Sequence, residues 1–386
     1  MLKNENIINN NEKYIVSKSH TENPLLSEHD KEEFLSSDAL IYQKIKTFPK
    51  TRYYGSKRRL LSWIYDNTKH LKFDTVLDGF GGTASVSLLF KAMGKNITYN
   101  DILTSNTISA KVLLENKLAM SIDSAEEFID SIEPLEGLIY KNFTGAFYTD
   151  AENMWIDGAV DRINKLTNTK QKNLLFHCLF QASLMKRPYN IFHRANLNLR
   201  ENTKVKRSFG NLTTWNTAFP VLMKKILFEI YRFQWDNGST QKVLNSKPVE
   251  KIKKGYDLVY LDPPYVSNTK SGDGYLKKYH FLEGLTDYHN WEDKLNHKMK
   301  IKMLLQHPFS NDWENKNTFA KLLFNLVDKH KESIVVLSYV SNAVPSVKEI
   351  SDFFESRFSK VTINTFSLNH ALAKDRRNEI LIIGEP

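Results

Sequence analysis

Short apolar runs alternate with amphipathic stretches in two separate parts of the chain. Strand-like runs are predicted at Thr75–Asp78, Ile97–Asn100, Leu258–Leu261, Ile334–Tyr339, Val361–Phe366 and Glu379–Ile383. Apolar residues at helical spacing separate most of them, at Ser85–Met93, Thr318–Lys329 and Val347–Phe358. Several strands are almost continuously apolar, as strands buried on both faces are. This alternation predicts an α/β sheet with helices on both faces.

The pattern changes between the two strand-bearing parts. Apolar residues there recur only at helical spacing, in Met154–Leu166, Asn173–Met185 and Phe219–Phe233. We therefore predict a helical insertion at 121–242 that splits an α/β domain into 46–120 and 243–386. Residues 1–45 are polar and are expected to form a poorly ordered tail with one short helix near residues 32–35. Residues 267–279 are expected to form a surface loop.

Composition and charge narrow the classes of partner. The 386 residues are 41% hydrophobic, and no apolar run approaches the roughly 20 residues that span a bilayer, so no membrane partner is expected. A single cysteine excludes a disulfide framework within the chain and is compatible with a reducing cytoplasm. No His, Cys or acid cluster has metal-ligand spacing. The net charge of +10 is compatible with a nucleic acid.

The sharpest motif is a tetrapeptide that follows a predicted strand, and its members are Asp262, Pro263, Pro264 and Tyr265. Two prolines cannot continue a central strand, so the chain must turn at the edge where open α/β sheets bind ligands. The Asp262 carboxylate and the Pro263 carbonyl oxygen are suited to hold the two N–H bonds of an aromatic amino group. Tyr265 is suited to stack on a base that has left its duplex. A purely structural turn is the alternative interpretation.

A glycine turn follows the first predicted strand, and its candidate binding residues are Asp78, Phe80, Gly81 and Gly82. Glycines allow a close approach of backbone and ligand. The start of the following helix favours an anionic group. Such a turn alone is weak evidence, because glycine turns in α/β proteins also bind dinucleotides or serve only as turns.

Two further motifs flank this turn. Asp101 and Ile102 follow the next strand, roughly 20 residues later, where an acid can hold ribose hydroxyls and an apolar side chain can pack on a base. Asp101 could equally cap a helix. Tyr53, Gly55 and Lys57 precede the first strand, and Lys57 could pair with a cofactor carboxylate.

A basic stretch lies in the helical insertion between residues 186 and 207. It contains one acid, Glu201, and the cations Lys186, Arg187, Arg194, Arg200, Lys204, Lys206 and Arg207. Arg side chains can read base edges and Lys side chains hold phosphates, so these residues are the predicted DNA-binding set. A solvated basic loop is the alternative.

In order, these motifs resemble the Dam-like class of adenine-N6 DNA methyltransferases of the restriction-modification type. The order is Tyr-x-Gly-Ser-Lys, the Asp-x-Phe-x-Gly turn, Asn-Asp, an insertion, and Asp-Pro-Pro-Tyr, and the resemblance spans about residues 48–120 and 250–386. The insertion segments 187–194 and 208–211 look like those of restriction-associated members. The resemblance implies a Rossmann-like methyltransferase with a mostly parallel seven-stranded sheet, one closing strand antiparallel, and a target-recognition insertion.

The resemblance also implies a reaction and its site. The cofactor would be S-adenosyl-L-methionine and the acceptor N6 of a flipped-out adenine in double-stranded DNA, held by Asp262 to Tyr265. The cofactor-binding residues would be Tyr53, Gly55, Lys57, Asp78, Phe80, Gly81, Gly82, Asp101, Ile102 and Asp262. A cognate restriction endonuclease acting on the same site is an expected partner, and a bacterial or phage-encoded cytoplasmic enzyme is expected.

Two departures from the family pattern stand out. Ala84 replaces the second glycine of the turn, and no acid occurs in Val243–Pro248, where members often have one for the cofactor. Asn245 or Ser246 is expected to take the place of this acid at the cofactor. Cytosine-N4 enzymes usually begin the tetrapeptide with serine and protein-glutamine enzymes with asparagine, which disfavours both reactions. RNA adenine as the acceptor, and an inactive relative that binds nucleic acid, stay open as alternatives.

Overall fold

The computed structural model describes residues 36–115, 119–202, 212–266, 274–304, 311–367 and 378–386. The chain divides into the units Met1–Leu40 and Ile41–Pro386. Helix α1, Ser37–Thr47, overturns the prediction of a poorly ordered tail for residues 37–45. Ile41 and Ile45 lie one helical turn apart in this helix. The prediction rested on the polar composition of residues 1–45 as a whole, which does not register such local helical spacing. The short helix expected near residues 32–35 lies outside the described residues.

The centre of the second unit is a seven-stranded sheet, ordered β3-β2-β1-β4-β5-β7-β6. The strands are β1 Thr75–Asp78, β2 Asn96–Tyr99, β3 Gln241–Val243, β4 Leu258–Leu261, β5 Ile334–Val340, β6 Lys360–Ser367 and β7 Asn378–Glu385. Strands β1 to β5 pair in parallel, whereas β7 is antiparallel to both β5 and β6. The predicted α/β class, with a mostly parallel sheet and one antiparallel closing strand, is confirmed.

Helices connect and flank these strands. They are α2 Leu61–Thr68, α3 Ser85–Ala92, α4 Thr104–Leu114, α5 Ile122–Asp130, α6 Leu138–Phe143, α7 Asp150–Asn164, α8 Thr169–Met185, α9 Leu197–Glu201, α10 Leu212–Asn216, α11 Phe219–Phe233, α12 Tyr275–Thr286, α13 Lys316–Lys329 and α14 Val347–Glu355. None of the helices in the described part of the chain is both long and apolar enough to cross a bilayer.

The insertion consists of helices α5 to α11, and the described residues between 121 and 240 contain no strand. Strand β3 begins at Gln241, so residues 241 and 242 belong to the sheet and not to the insertion. Helix α8 packs against both α4 and α11, and buried side chains of the insertion and of the α/β part form one apolar cluster. The insertion therefore shares its core with the rest of the unit, because its amphipathic helices bury their apolar faces against α4 and α12.

Parallel pairing fixes where the candidate site lies. Asp78 is in register with Tyr99 on one side and with Tyr260 on the other. Strands β1, β2 and β4 therefore end side by side, and the segments that follow them leave the sheet at one edge. Strand β4 is buried at every position, so the polar residues that follow the strand are the first that a ligand at this edge can contact.

Candidate active site

A cavity of about 540 Å³ opens at the carboxyl edge of β1, β2 and β4. Its volume lies within the range of about 300–1,000 Å³ that is usual for small-molecule sites. Its lining includes every residue predicted to bind the cofactor, namely Tyr53, Gly55, Lys57, Asp78, Phe80, Gly81, Gly82, Asp101, Ile102 and Asp262. Pro264 also lines the cavity, whereas Pro263 and Tyr265 do not.

The glycine turn after β1 is held tightly against the end of β2. The Gly81 N–H donates to the Asn100 carbonyl at 2.8 Å, and the Tyr99 hydroxyl donates to the Gly82 carbonyl at 2.7 Å. A Cβ on Gly81 would lie 2.1 Å from the Tyr99 ring, so only glycine fits. Ala84, the departure noted in the sequence, takes a left-handed φ of 59° just before α3, which is the conformation that glycine adopts without strain.

Asp78 ends β1 as a buried carboxylate with one satisfied oxygen. Oδ2 accepts a hydrogen bond from the Ser87 hydroxyl at 2.6 Å, but among the described residues Oδ1 has no partner. Burial is the main cause that raises the pKa of Asp78 to about 7, with smaller contributions from the nearby carboxylates of Asp262 and Asp101. An unpaired buried acceptor in a cavity wall is suited to a cationic ligand group.

Asp101 accepts hydrogen bonds from the glycine turn and from the start of α4. Oδ2 accepts from the Gly82 N–H at 2.9 Å, and Oδ1 accepts from the Leu103 N–H at 2.8 Å and from Asn106 Nδ2 at 3.1 Å. Burial raises its pKa, and these hydrogen bonds oppose the rise. Asp101 thus holds the start of α4 to the glycine turn, and Oδ2 of this cavity-lining residue can accept a second hydrogen bond.

Lys57 lies at the centre of the charged groups of the site. Its Nζ is 2.6 Å from the Tyr265 hydroxyl, 3.0 Å from Oδ1 of Asp262 and 3.7 Å from Oε2 of Glu379. Burial disfavours the lysine charge, but the two carboxylates outweigh that effect and hold the pKa of Lys57 above its usual range. Lys57 was expected to pair with a ligand, and Glu379 was not among the predicted site residues.

Tyr265 reaches the same group from outside the cavity. Its hydroxyl donates to Oδ1 of Asp262 at 2.6 Å, and its ring packs edge-on against Tyr339. Oδ1 of Asp262 therefore receives both the Tyr265 hydroxyl and the Lys57 ammonium. Among the described residues, Oδ2 of Asp262 accepts no hydrogen bond.

Three stacked tyrosines, of which only Tyr53 was among the predicted site residues, form an aromatic wall at one side of the cavity. Tyr53 stacks on Tyr279 with ring centroids 4.3 Å apart, and Tyr275 stacks on Tyr53 at 5.8 Å. Tyr275 and Tyr279 lie one turn apart on α12, so the surface loop expected at 267–279 is wrong for residues 275–279. Residues 267–273 lie outside the described residues. The i, i+4 spacing of Tyr275 and Tyr279 is a sequence signal that could have placed both rings on one face of a helix.

The acid missing from Val243–Pro248 has a counterpart a few residues later. Glu250 lines the cavity and accepts a hydrogen bond from the Trp313 indole N–H, and Trp313 packs edge-on against Phe80 at 4.9 Å. Asn245, one of the expected substitutes, is instead bound to Lys111 at 2.8 Å. Ser246, the other, contacts the Thr107 hydroxyl at 3.2 Å, and neither residue lines the cavity.

The predicted DNA-binding set is contradicted at three positions. Lys186 and Arg187 are 1% exposed and Arg200 is 8% exposed. Lys186 and Arg200 form ion pairs with Glu152 at 2.8 and 2.7 Å. Their positive charges are therefore balanced by a carboxylate inside the protein.

Arg187 has a structural role as well. Its guanidinium donates to the carbonyl oxygens of Ile191, Arg194 and Ala195 at 2.6–3.2 Å, and it lies over the Phe147 ring. Its donors are therefore turned toward the backbone of its own loop and away from solvent. Arg194, in contrast, is exposed. Lys204, Lys206 and Arg207 lie outside the described residues.

Comparison with known proteins identifies the family. Residues 53–342 match the D12 class N6 adenine-specific DNA methyltransferases. The chain is also similar to the Type II methyltransferase M2.HphI of Haemophilus parahaemolyticus, with 26% identity over 349 residues that cover 88% of this chain and 98% of that protein. With the family match extending over well more than half of its length, the chain belongs to the D12 class of N6 adenine-specific DNA methyltransferases.

Proposed function

We propose that this methyltransferase takes its methyl group from S-adenosyl-L-methionine and transfers it to N6 of an adenine that has left a DNA duplex. The observation that carries the proposal is the open Oδ2 of Asp262 beside a cavity of about 540 Å³. The cavity is large enough for the donor, and Asp262 and Pro264 in its wall come from the motif suited to hold an aromatic amino group.

The residues of the cavity fit this cofactor. The unpartnered Oδ1 of Asp78 suits the ammonium group of its methionine part, and the spare lone pair of Asp101 suits a ribose hydroxyl. Ile102, Phe80 and Glu250 provide apolar and polar contacts for an adenine ring. When bound, S-adenosyl-L-methionine supplies a methyl group made electrophilic by its positively charged sulfur.

Asp262 orients the acceptor. Because Lys57 and Tyr265 hold Oδ1, the carboxylate cannot rotate freely, and Oδ2 is available for one N–H of the adenine amino group. The Pro263 carbonyl is the proposed acceptor for the second N–H. The nitrogen lone pair is then directed at the methyl group. The amino proton becomes acidic only after transfer, so position and electrostatics supply most of the rate.

The helical insertion is proposed to contact the DNA, with Arg194 as its exposed cation and Lys204, Lys206 and Arg207 as further candidates. Since M2.HphI is a Type II methyltransferase and aligns over almost its whole length, we propose that this chain serves a Type II restriction-modification system. A nuclease that cuts the same DNA site would be its functional partner.

The test is transfer of labelled methyl from S-adenosyl-L-methionine to unmethylated genomic DNA, followed by modification-sensitive sequencing. The wild-type enzyme should place N6-methyladenine in one recurring short motif. Asp262→Asn keeps the shape of the side chain and should retain cofactor binding while losing nearly all turnover, because an amide presents a weaker acceptor, or a donor, to the amino group.

Two results would contradict the proposal. Near wild-type methylation by Asp262→Asn would exclude the orienting role of the carboxylate. Methyl transfer to RNA adenine but not to DNA, or cofactor binding without any transfer, would favour the alternatives of an RNA enzyme or an inactive relative.

A further inference from the structure

We infer that Glu379, at the start of β7, is a positioning residue for methyl transfer, because it keeps Lys57 charged and aimed at Asp262. This inference rests on the function proposed above and adds a residue from the opposite end of the chain to the site. Glu379 does not line the cavity, so it acts through Lys57 and not on the cofactor.

The antiparallel strand is what brings Glu379 to the site. Every parallel strand reaches this edge of the sheet with its last residue. Strand β7 runs the other way, so its second residue, Glu379, pairs with Val340 at the carboxyl end of β5. Strand β5 in turn lies next to β4, which leads into Asp262. A carboxylate at the start of β7 therefore meets the groups that follow β4.

The charges around Lys57 define what Glu379 does. Among the described residues, the carboxylates within 4 Å of Nζ are those of Asp262 and Glu379, and all three side chains are at most 17% exposed. Tyr260 and Tyr265 also face Lys57, but burial raises the pKa of each well above its usual value, so both stay neutral. Tyr275, on α12, is neutral for the same reason.

Without Glu379, the buried ammonium would have one carboxylate for its charge in place of two. Burial would then oppose the charge more effectively, and Lys57 would lose its proton at a lower pH. A neutral Lys57 no longer holds Oδ1 of Asp262 by an ion pair, and Oδ2 loses its fixed direction toward the adenine amino group. The consequence falls on the rate of methyl transfer and leaves cofactor affinity largely unchanged.

The experiment compares Glu379→Gln with Glu385→Gln in single-turnover methylation of DNA across a range of pH. Glu385 is a matched control, because it lies at the far end of the same strand and pairs with a lysine, Lys360, at 2.7 Å. On the alkaline side of the pH range, Glu379→Gln should lower the transfer rate about tenfold. It should also move the alkaline limb of the rate profile to lower pH, with the KM for S-adenosyl-L-methionine nearly unchanged. Glu385→Gln should change none of these.

Glu379→Asp separates charge from packing. It retains the carboxylate, so the alkaline limb should stay near its wild-type position even if the rate falls. A Glu379→Gln enzyme that behaves like Glu385→Gln, or that loses rate equally at every pH, would overturn the inference. A wild-type protein that transfers no methyl to DNA would instead refute the proposed function and is distinguishable from both results.

Discussion

The binding role proposed for Asp78 comes with a cost to the stability of the folded protein. A carboxylate that is buried with only one hydrogen-bonded oxygen is expensive to ionise, which is why burial raises its pKa to about 7. A ligand ammonium beside Oδ1 would provide the missing partner and favour the ionised form. We therefore expect the protonation of Asp78 to affect both the affinity for the cofactor and the stability of the cofactor-free protein.

Cofactor binding should depend on the protonation of Asp78. Affinity for S-adenosyl-L-methionine should rise between pH 6 and pH 8 and level off above the pKa of about 7. Asp78→Asn should abolish this rise and weaken binding by about 1.5–3 kcal/mol, the usual contribution of a hydrogen bond to a charged group. Calorimetric titrations at several pH values measure both effects. Asp74→Asn, exposed just before the same strand, is the control, and an unchanged pH slope in Asp78→Asn would exclude this role.

The stability of the cofactor-free protein should show the opposite trend. The folded pKa of Asp78 lies above the ordinary aspartate value, so the folded state holds its proton more tightly than the unfolded state. The free energy of unfolding therefore falls as pH rises from about 4 to about 7 and stays low above that range. Asp78→Asn cannot ionise and should unfold at a higher temperature than wild type at pH 8. Equal melting temperatures of the two proteins at pH 8 would contradict the expectation.

At the scale of elements, the described part of the basic stretch combines buried ion pairs with one exposed cation, Arg194. Glu152, near the start of α7, pairs with both Lys186 and Arg200. The sequence shows the cations as one run but places their acid far upstream, so the pairing could not be read from local spacing. Burial opposes the charge of Glu152, but the two cations outweigh it and hold its pKa below the usual range.

Removal of the shared acid should destabilise the insertion strongly. Glu152→Gln leaves two buried cations without their counter-charge, which typically costs about 3–5 kcal/mol. Asp161→Asn is the control, because its i, i+4 pair with Lys165 is exposed and should contribute less than about 1 kcal/mol. Urea unfolding of the three proteins gives the comparison. A loss in Glu152→Gln no larger than that in Asp161→Asn would show that the network contributes little.

Among the described cations of this stretch, Arg194 is exposed to solvent, and we predict that it contacts a DNA phosphate. Arg194→Ala should leave thermal stability unchanged and reduce the slope of log affinity against log salt by about 0.9 if one phosphate contact is lost. Arg187→Ala should instead lower the melting temperature, because the carbonyls of Ile191, Arg194 and Ala195 lose their donor. Binding of duplex DNA at several salt concentrations checks the first expectation. An unchanged slope for Arg194→Ala would place the phosphate contacts elsewhere.

Strong local patterns made most of the sheet predictable. The apolar runs at Thr75–Asp78 and Leu258–Leu261 give β1 and β4 with the predicted bounds. Strand β3 was not among the predicted strands, because Gln241–Val243 is short and partly exposed and carries no apolar run. Cavity residues that belong to recognisable motifs were identified. Glu379 and Glu250 were not identified, because neither belongs to a motif. The strand order of the sheet brings Glu379 to the site, and the segment between β3 and β4 brings Glu250.

The second unit behaves as one folded body in its packing. Phe147, which precedes α7, contacts Phe192 of the insertion and Phe281 of α12, the helix that also carries Tyr275 and Tyr279 of the aromatic wall. The insertion and one part of the cavity wall thus share one apolar cluster, whereas Val249 in the cavity wall belongs to a second cluster. Insertion loops can vary in such an arrangement, but the helices beneath them cannot be removed without exposing α4 and α12.

This shared core predicts cooperative unfolding. Phe147 is fully buried, and Phe147→Ala should cost about 3–5 kcal/mol through lost contacts and the cavity left behind. Because its neighbours extend from the insertion to α12, the loss should lower the temperature of a single calorimetric transition, and cofactor binding should disappear in that same transition. Phe228→Ala, exposed on α11, should leave the transition in place. If Phe147→Ala instead produced two transitions, with cofactor binding preserved through the first, the insertion would be an independently folding domain and its core would be separate from that of the catalytic part.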